Sequence, residues 1–206
     1  MVAQDKIDRV LLRRLQQVMR SAAERRNIYN RGLPSGKIHA RRLYRAPTTG
    51  LVFQEKQHQF VLRSDIILLT DATGSMADPT KWDKAETVYQ TLFQAILGFN
   101  KNARLFAYNE VKNTCRITEL YRGGKMLTVL PHGKTASGEA IIATAITTRG
   151  HSRKRLLIHV TDGASNWGCG VEEAITYCNK AGIRLLTLGI GCSPSAKQSL
   201  RAEYRD

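Results

Sequence analysis

The chain has 206 residues, 42% of them hydrophobic and 24% charged. That is ordinary globular composition, apolar enough for a core without a disulfide or metal staple and too apolar for an intrinsically disordered chain. With 32 Lys/Arg against 17 Asp/Glu, a net +15, it favours polyanions or acidic partner surfaces. The four cysteines form no CxxC pair and have no His at zinc-finger spacing, which excludes a zinc finger.

The sequence starts without an apolar signal core, and no run approaches the length of a membrane span. The expectation is a cytoplasmic chain with reduced thiols and no membrane partner. The charge is uneven: residues 1–46 hold 12 Lys/Arg against 3 Asp/Glu. Over residues 5–26, Ile7, Val10, Leu11, Leu15, Val18, Met19 and Ala22 recur at helical spacing, predicting one helix with an apolar stripe. Arg9, Arg13, Arg20 and Arg25 fall largely elsewhere on it. Residues 27–60 mix Gly32, Pro34, Gly36, Pro47 and Gly50 with basic and polar residues, the composition of a connector with a short strand near 51–53.

Beyond it strand-like and helix-like runs alternate. Residues 65–70 (DIILLT) read as a buried parallel strand, and 84–98 as a helix with Val88, Leu92, Ala95 and Ile96 inward. Residues 104–108 and 116–120 read as strands, the second an antiparallel edge. A helix over 138–148, a strand over 155–161 (RLLIHVT), a helix over 171–181, a strand over 184–190 and a helix after Pro194 complete the pattern. This predicts a doubly wound, mostly parallel α/β sheet with helices on both faces. The division is residues 1–60, a basic N-terminal helix and connector, and residues 61–206, the α/β domain.

Three loops carry the chemistry. Asp71-Ala72-Thr73-Gly74-Ser75-Met76 follows the first buried strand, Gly133-Lys134-Thr135-Ala136-Ser137-Gly138 precedes a helix, and Thr161-Asp162-Gly163 follows another strand. In such folds ligands bind beyond the carboxyl ends of the strands, so all three loops belong to one rim. Two carboxylates with several hydroxyls make an oxygen-only donor set, suited to a hard, partly hydrated cation and to Mg²⁺ more than Zn²⁺. Asp71, Thr73 and Ser75 are two apart, so a loop leaving a strand can aim all three at one point while Gly74 lets the backbone turn. Gly138 and Gly163 are expected to serve similar turns.

These segments, DATGSM, GKTASGEAI and VTDGAS, resemble the three parts of the metal-ion-dependent adhesion site of von Willebrand factor A domains. The resemblance covers roughly residues 62–192. It implies Thr73, Ser75 and Thr135 as direct Mg²⁺ ligands, with Asp71 and Asp162 acting through coordinated water, and Mn²⁺ or Ca²⁺ as substitutes. Thr73 stands where many members have serine. Ser137 competes with Thr135, but Thr135 occupies the family's threonine position, three before Gly138. More narrowly, the stretch from Gly36-Lys37-Ile38-His39 through Val52-Phe53 is similar to the segment preceding the A domain in cobaltochelatase, with the magnesium chelatase D subunit a looser relative. That similarity implies an AAA+ ATPase partner, in a chelatase- or MoxR-like system.

Other chemistries fit less well. The glycine that a P-loop needs five positions before Gly133 is Thr128. An aspartate-nucleophile phosphatase needs an acid where Thr73 stands, and no GxGxxG follows the first strand. His132 and His159 have no nucleophile arranged with them and read as structural. Trp167 either lines the rim as a partner hot spot or packs inward. The expectation is therefore no enzyme but a Mg²⁺-dependent module that docks an Asp or Glu of a protein partner. The rival is an RNA- or DNA-binding protein using Arg13, Arg14 and Arg20, with the A domain as scaffold.

Overall fold

The computed structural model describes residues 3–149 and 154–204. The chain runs α1 (Arg9–Ala22), β1 (Glu24–Leu33), β2 (Lys37–Ile38), β3 (Phe53–Val61), β4 (Asp65–Asp71), α2 (Pro79–Leu97), β5 (Arg104–Val111) and β6 (Thr114–Glu119). It continues through β7 (Tyr121–Arg122), β8 (Lys125–Met126), α3 (Ser137–Thr147), β9 (Arg155–Thr161), α4 (Val171–Lys180), β10 (Ile183–Gly189) and α5 (Pro194–Tyr204). Its contacts divide it into two compact units, Met1–Met19 with Arg63–Asp206, and Arg20–Leu62.

In the larger unit the sheet order is β10-β9-β4-β5-β6. β10, β9, β4 and β5 are mutually parallel, and β6 pairs antiparallel with β5 at one edge. The β5–β6 turn is Lys112-Asn113, both with positive φ, 52° and 56°, the conformation that matches the twist of a two-residue hairpin. β4 is central because both faces of Ile66, Ile67, Leu68 and Leu69 are covered, each 5% exposed or less. One face packs Ile67, Leu69, Phe106, Leu157 and Ile183 on Ala140, Ile141 and Ala145 of α3 and Ala174 and Cys178 of α4. The alternate residues turn to the other face, where α2 supplies buried Tyr89, Leu92, Phe93 and Ile96. The sheet is doubly wound, with helices on both sides.

The helix α2 begins five residues before the expected start at Lys84. Asp78 caps it, its carboxylate accepting the Thr80 N–H at 2.8 Å, and Pro79 fits the first turn, where no N–H is needed. The N-terminal segment packs on α2. Lys6 donates its N–H to Gln90 Oε1 at 2.9 Å and its ammonium to Glu86 Oε2 at 2.7 Å, and the Asp8 N–H donates to Thr91 Oγ1 at 3.0 Å. The expected stripe on α1 is corrected: Val10 and Val18 are 62% and 67% exposed, while Leu11, Leu12, Leu15, Gln16 and Met19 are half-buried. Packing selected one flank of a helix whose apolar residues spread over a wider arc.

The smaller unit differs most from expectation. Residues 27–60, read as a connector, hold most of a three-stranded antiparallel sheet of order β1-β3-β2. Nine residues of β1, from Glu24 to Leu33, pair with β3, with a register shift at Gly32. Along β1 only Gly32 and Leu33 are even half-buried, so both faces meet solvent and no apolar alternation marks the strand. Among the described residues no helix is long and apolar enough to cross a membrane.

Candidate metal centre

The first crossover from β4 leads through α2 to β5 on one side, and the later one returns through α3 to β9 on the other. The loops after β4 and β9 therefore leave in opposite directions and open a crevice at the carboxyl edge. Asp71 ends β4 and Asp162 follows β9.

Asp71 is fully buried. Its Oδ1 accepts the Thr73 N–H at 2.9 Å and its Oδ2 accepts the Thr161 hydroxyl at 2.7 Å. Burial pushes its pKa up, the hydrogen bonds from Thr73 and Thr161 oppose this, and the nearby Asp162 charge pushes it further up. Ser75 Oγ donates to Asp162 Oδ1 at 2.8 Å. Thr73 is the hub: its Oγ1 lies 3.3 Å from Ser75 Oγ and 3.0 Å from Thr135 Oγ1. All five sequence-predicted residues, Asp71, Thr73, Ser75, Thr135 and Asp162, thus belong to one connected oxygen cluster. Ser137 does not, because its hydroxyl turns to Tyr108 OH at 3.0 Å.

The second loop is pinned by backbone contacts. Gly74 N–H donates to Gly133 O at 2.8 Å, and His132 N–H to Ala72 O at 3.0 Å. His132 Nδ1 donates to Glu110 O at 2.7 Å, and Glu110 Oε2 accepts the Lys134 N–H at 3.3 Å. A Cβ on Gly74 would sit 2.9 Å from Gly133 O, so the close approach of the two loops requires glycine there. Gly138 meets a similar constraint against the Cys169 and Gly170 carbonyls. Gly163 does not: a Cβ there would meet open space, so its expected close turn is corrected.

Sequence reasoning missed the residues that aim Thr135. Asn166 Oδ1 accepts the Thr135 N–H at 2.9 Å, and Asn166 N–H returns a bond to Thr135 O at 3.0 Å. Ser165 Oγ also donates to Thr135 O, at 3.1 Å. Thr161, which closes the second oxygen of Asp71, ends β9 immediately before Asp162. No motif marked either role, since polar residues in a loop have many partners available. Lys81 Nζ stands 3.6 Å from Asp162 Oδ2.

The donor set fits a hard divalent cation. Octahedral bonds of about 2.1 Å place neighbouring ligand oxygens about 3 Å apart, and the hydroxyl pairs here are separated by 3.0 and 3.3 Å. The Asp162 charge raises the proton affinity of Asp71, and a cation shared by the two carboxylates would offset that repulsion. Among the described residues no three His, Cys, Asp or Glu side chains gather at one point; the cluster is rich in hydroxyls instead.

The other predicted residues lie elsewhere. Arg13 and Arg14 are exposed on α1, and Arg20 stacks its guanidinium over the Phe60 ring, 5.3 Å from its centroid. His159 is fully buried, with Nε2 3.1 Å from Tyr108 OH and Nδ1 3.0 Å from Tyr204 OH, and burial lowers its pKa to about 3. Trp167 is half-buried.

No protein-family model matches the chain, and no curated protein matches it. Among solved structures it is similar to the manganese-loaded TRAP protein of Plasmodium vivax, with TM-score 0.53 and 16% identity over 87% of this chain and 66% of that one. It is also similar to the ArnB paralog VWA2 of Sulfolobus acidocaldarius, with TM-score 0.46 and 14% identity over 81% and 44% of the two chains. The SpRpn10 VWA domain gives 0.35 and 11% over 66% and 92%. The chain spans less than two thirds of the first two structures. The likeness to the first is one of fold, a von Willebrand factor A-type α/β sheet.

Proposed function

We propose that this chain is a metal-dependent protein-docking module, with Mg²⁺ held by Thr73, Ser75 and Thr135, and with Asp71 and Asp162 acting through water. The observation that carries it is the meeting of three hydroxyls from two loops, Thr73 Oγ1 within 3.3 Å of both others, with two carboxylates behind them. Mn²⁺, present in the similar TRAP structure, and Ca²⁺ are the proposed substitutes. Both Asp71 oxygens already accept protein hydrogens, which supports an indirect role. Neutral hydroxyl ligands leave the cation's charge largely uncompensated, so bound metal supplies an electrophilic position for a partner's carboxylate. Thr161 and Asn166 hold Asp71 and Thr135 in place, the orienting contribution usual behind metal ligands.

The partner we propose is an AAA+ ATPase presenting an Asp or Glu. This rests on the resemblance of residues 36–53 to the segment preceding the A domain in cobaltochelatase. The role we propose is docking and not catalysis, because residue spacing marks no paired general acid and base.

Thermal unfolding with Mg²⁺ or Mn²⁺ tests the metal directly. A concentration about 100 times Kd stabilises by about 2.7 kcal/mol, raising the Tm of a chain of this size by roughly 5–10 °C. Thr135→Val, near-isosteric and lacking the hydroxyl, abolishes the shift while keeping the metal-free Tm within a few degrees; Asp71→Ala abolishes it too. An unchanged Tm in wild-type protein at millimolar Mg²⁺ and Mn²⁺ sinks the metal reading. Partner binding that persists undiminished in EDTA sinks the docking reading.

A further inference from the structure

Residues 20–62 contain nine Lys/Arg against two Asp/Glu, and the sheet formed there sorts them by face. Directly opposed residues of an antiparallel pair share a face, and positions two apart along a strand do too. The register places Arg25 opposite Phe60, Asn27 opposite His58, Tyr29 opposite Lys56, and Arg31 opposite Gln54, with Lys37 on the other side of Gln54. Both carboxylates, Glu24 and Glu55, fall on the reverse face. Arg25, Asn27, Tyr29, Arg31, Lys37, Lys56 and His58 are all exposed, and the Tyr29 ring, 47% exposed, stands among the cations.

We infer that this carboxylate-free face of the β1-β3-β2 sheet binds single-stranded nucleic acid, with Arg25, Arg31, Lys37 and Lys56 along the phosphates and Tyr29 stacking on a base. Four cations spread along roughly 20 Å of strand, the rise from Arg25 to Arg31 at about 3.4 Å per residue, form an electrostatic track rather than a point site. An exposed planar ring inside such a track is the second component of single-strand recognition, because every base offers a π-face. Arg20, parked over Phe60 at 5.3 Å, adds a fifth cation at one end. His58 reports the same field: partial desolvation lowers its pKa first, and the charges of Arg25 and Lys56 lower it further.

Asn27 Oδ1 accepts from His58 Nδ1 at 2.8 Å, which fixes two hydrogen-bonding side chains beside Tyr29. An acidic protein surface would pair with the same cations, but it offers no base to stack on the ring, and the Tyr29 variants below separate the two. The α1 arginines Arg13 and Arg14, assigned to nucleic acid by sequence alone, are not needed for this face.

The test uses the full chain and fluorescein-labelled oligouridylate of about 20 nucleotides, read by fluorescence anisotropy from about 50 to about 200 mM salt. EDTA is present throughout, so the metal centre plays no part and the docking proposal stands or falls separately. Wild-type protein binds, with affinity falling steeply in salt. The triple variant Arg25→Gln, Arg31→Gln, Lys56→Gln weakens binding and reduces the log–log salt slope by about 2, at roughly 0.7 per phosphate contact on single strands. An equal charge loss on α1, Arg9→Gln, Arg13→Gln, Arg14→Gln, changes affinity by no more than about twofold at the higher salt, where charges that do not contact a phosphate are screened.

Tyr29→Ala weakens binding roughly 5- to 150-fold without changing the slope, the range for one stacked base, and Tyr29→Phe restores it. Absent binding at the lower salt overturns the inference, as does an α1 variant as impaired as the sheet variant. Tighter binding to a duplex of the same sequence, or polyglutamate bound equally well with Tyr29→Ala silent, also overturns it and makes the face a general polyanion surface.

Discussion

Replacing His159 with glutamine removes a titration that the fold suppresses. The imidazole has no exposed surface and lies between Tyr108 and Tyr204, and burial lowers its pKa from 6.5 to about 3. The unfolded chain binds this proton near pH 6.5 and the folded chain does not. Its contribution is therefore fully present above pH 6.5 and is lost as pH falls toward about 3. At about 1.36 kcal/mol per pKa unit the ceiling is about 5 kcal/mol. Between pH 7 and pH 5 the linkage integral is about 2 kcal/mol.

Urea unfolding in EDTA, followed by tryptophan fluorescence, reads this loss. Both tryptophans, Trp82 and Trp167, lie in the unit containing Arg63–Asp206, so the signal reports that unit. With a slope of about 2 kcal/mol per M urea, the wild-type midpoint drops by about 1 M more than that of His159→Gln between the two pH values. The variant is less stable at pH 7 because it fills the site poorly, yet it is flatter in pH. All other ionisable groups are common to both proteins and cancel in the difference. Equal losses in wild type and variant would refute a neutral buried His159.

Gly74→Ala places a Cβ 2.9 Å from Gly133 O, and separating the two loops costs about 1–3 kcal/mol; chemical denaturation measures the loss, and calorimetric titration with Mn²⁺ shows weaker binding. Asn166→Ala frees the Thr135 N–H and lowers metal affinity by roughly 10–100-fold while lowering stability by only about 1 kcal/mol; equal loss of both would make Asn166 merely structural. Lys81→Ala removes a cation 3.6 Å from Asp162 and tightens Mg²⁺ binding by up to about fivefold, the scale of a half-exposed charge pair, with weaker binding contradicting the proposed water-mediated role of Asp162.

The α/β unit was legible because burial writes itself into sequence. β4 and β9 are covered on both faces, so DIILLT and RLLIHVT are nearly continuous apolar runs, each leading into an aspartate at the rim. The five clustered oxygens were found the same way, from residue types that only a loop at a strand end can bring together. Asn166 and Thr161 were not, because an amide or hydroxyl in a loop carries no pattern until its partner is placed. The start of α2 at Pro79 was written in Asp78-Pro79 and overlooked for the later apolar periodicity.

Residues 20–62 show the opposite case. A ribbon wetted on both faces has no reason to alternate apolar and polar residues, so its glycines, prolines and arginines read as a connector. The amino-acid order alone determined the doubly wound sheet, the rim and the oxygen set, since each follows from local burial and from loop position. Only the tertiary structure decided which hydroxyl of the second loop faces Thr73, which flank of α1 is buried, and how the basic residues sort by face. Those depend on cross-chain register, and hydrogen bonds between distant segments leave no periodic trace in the chain that makes them.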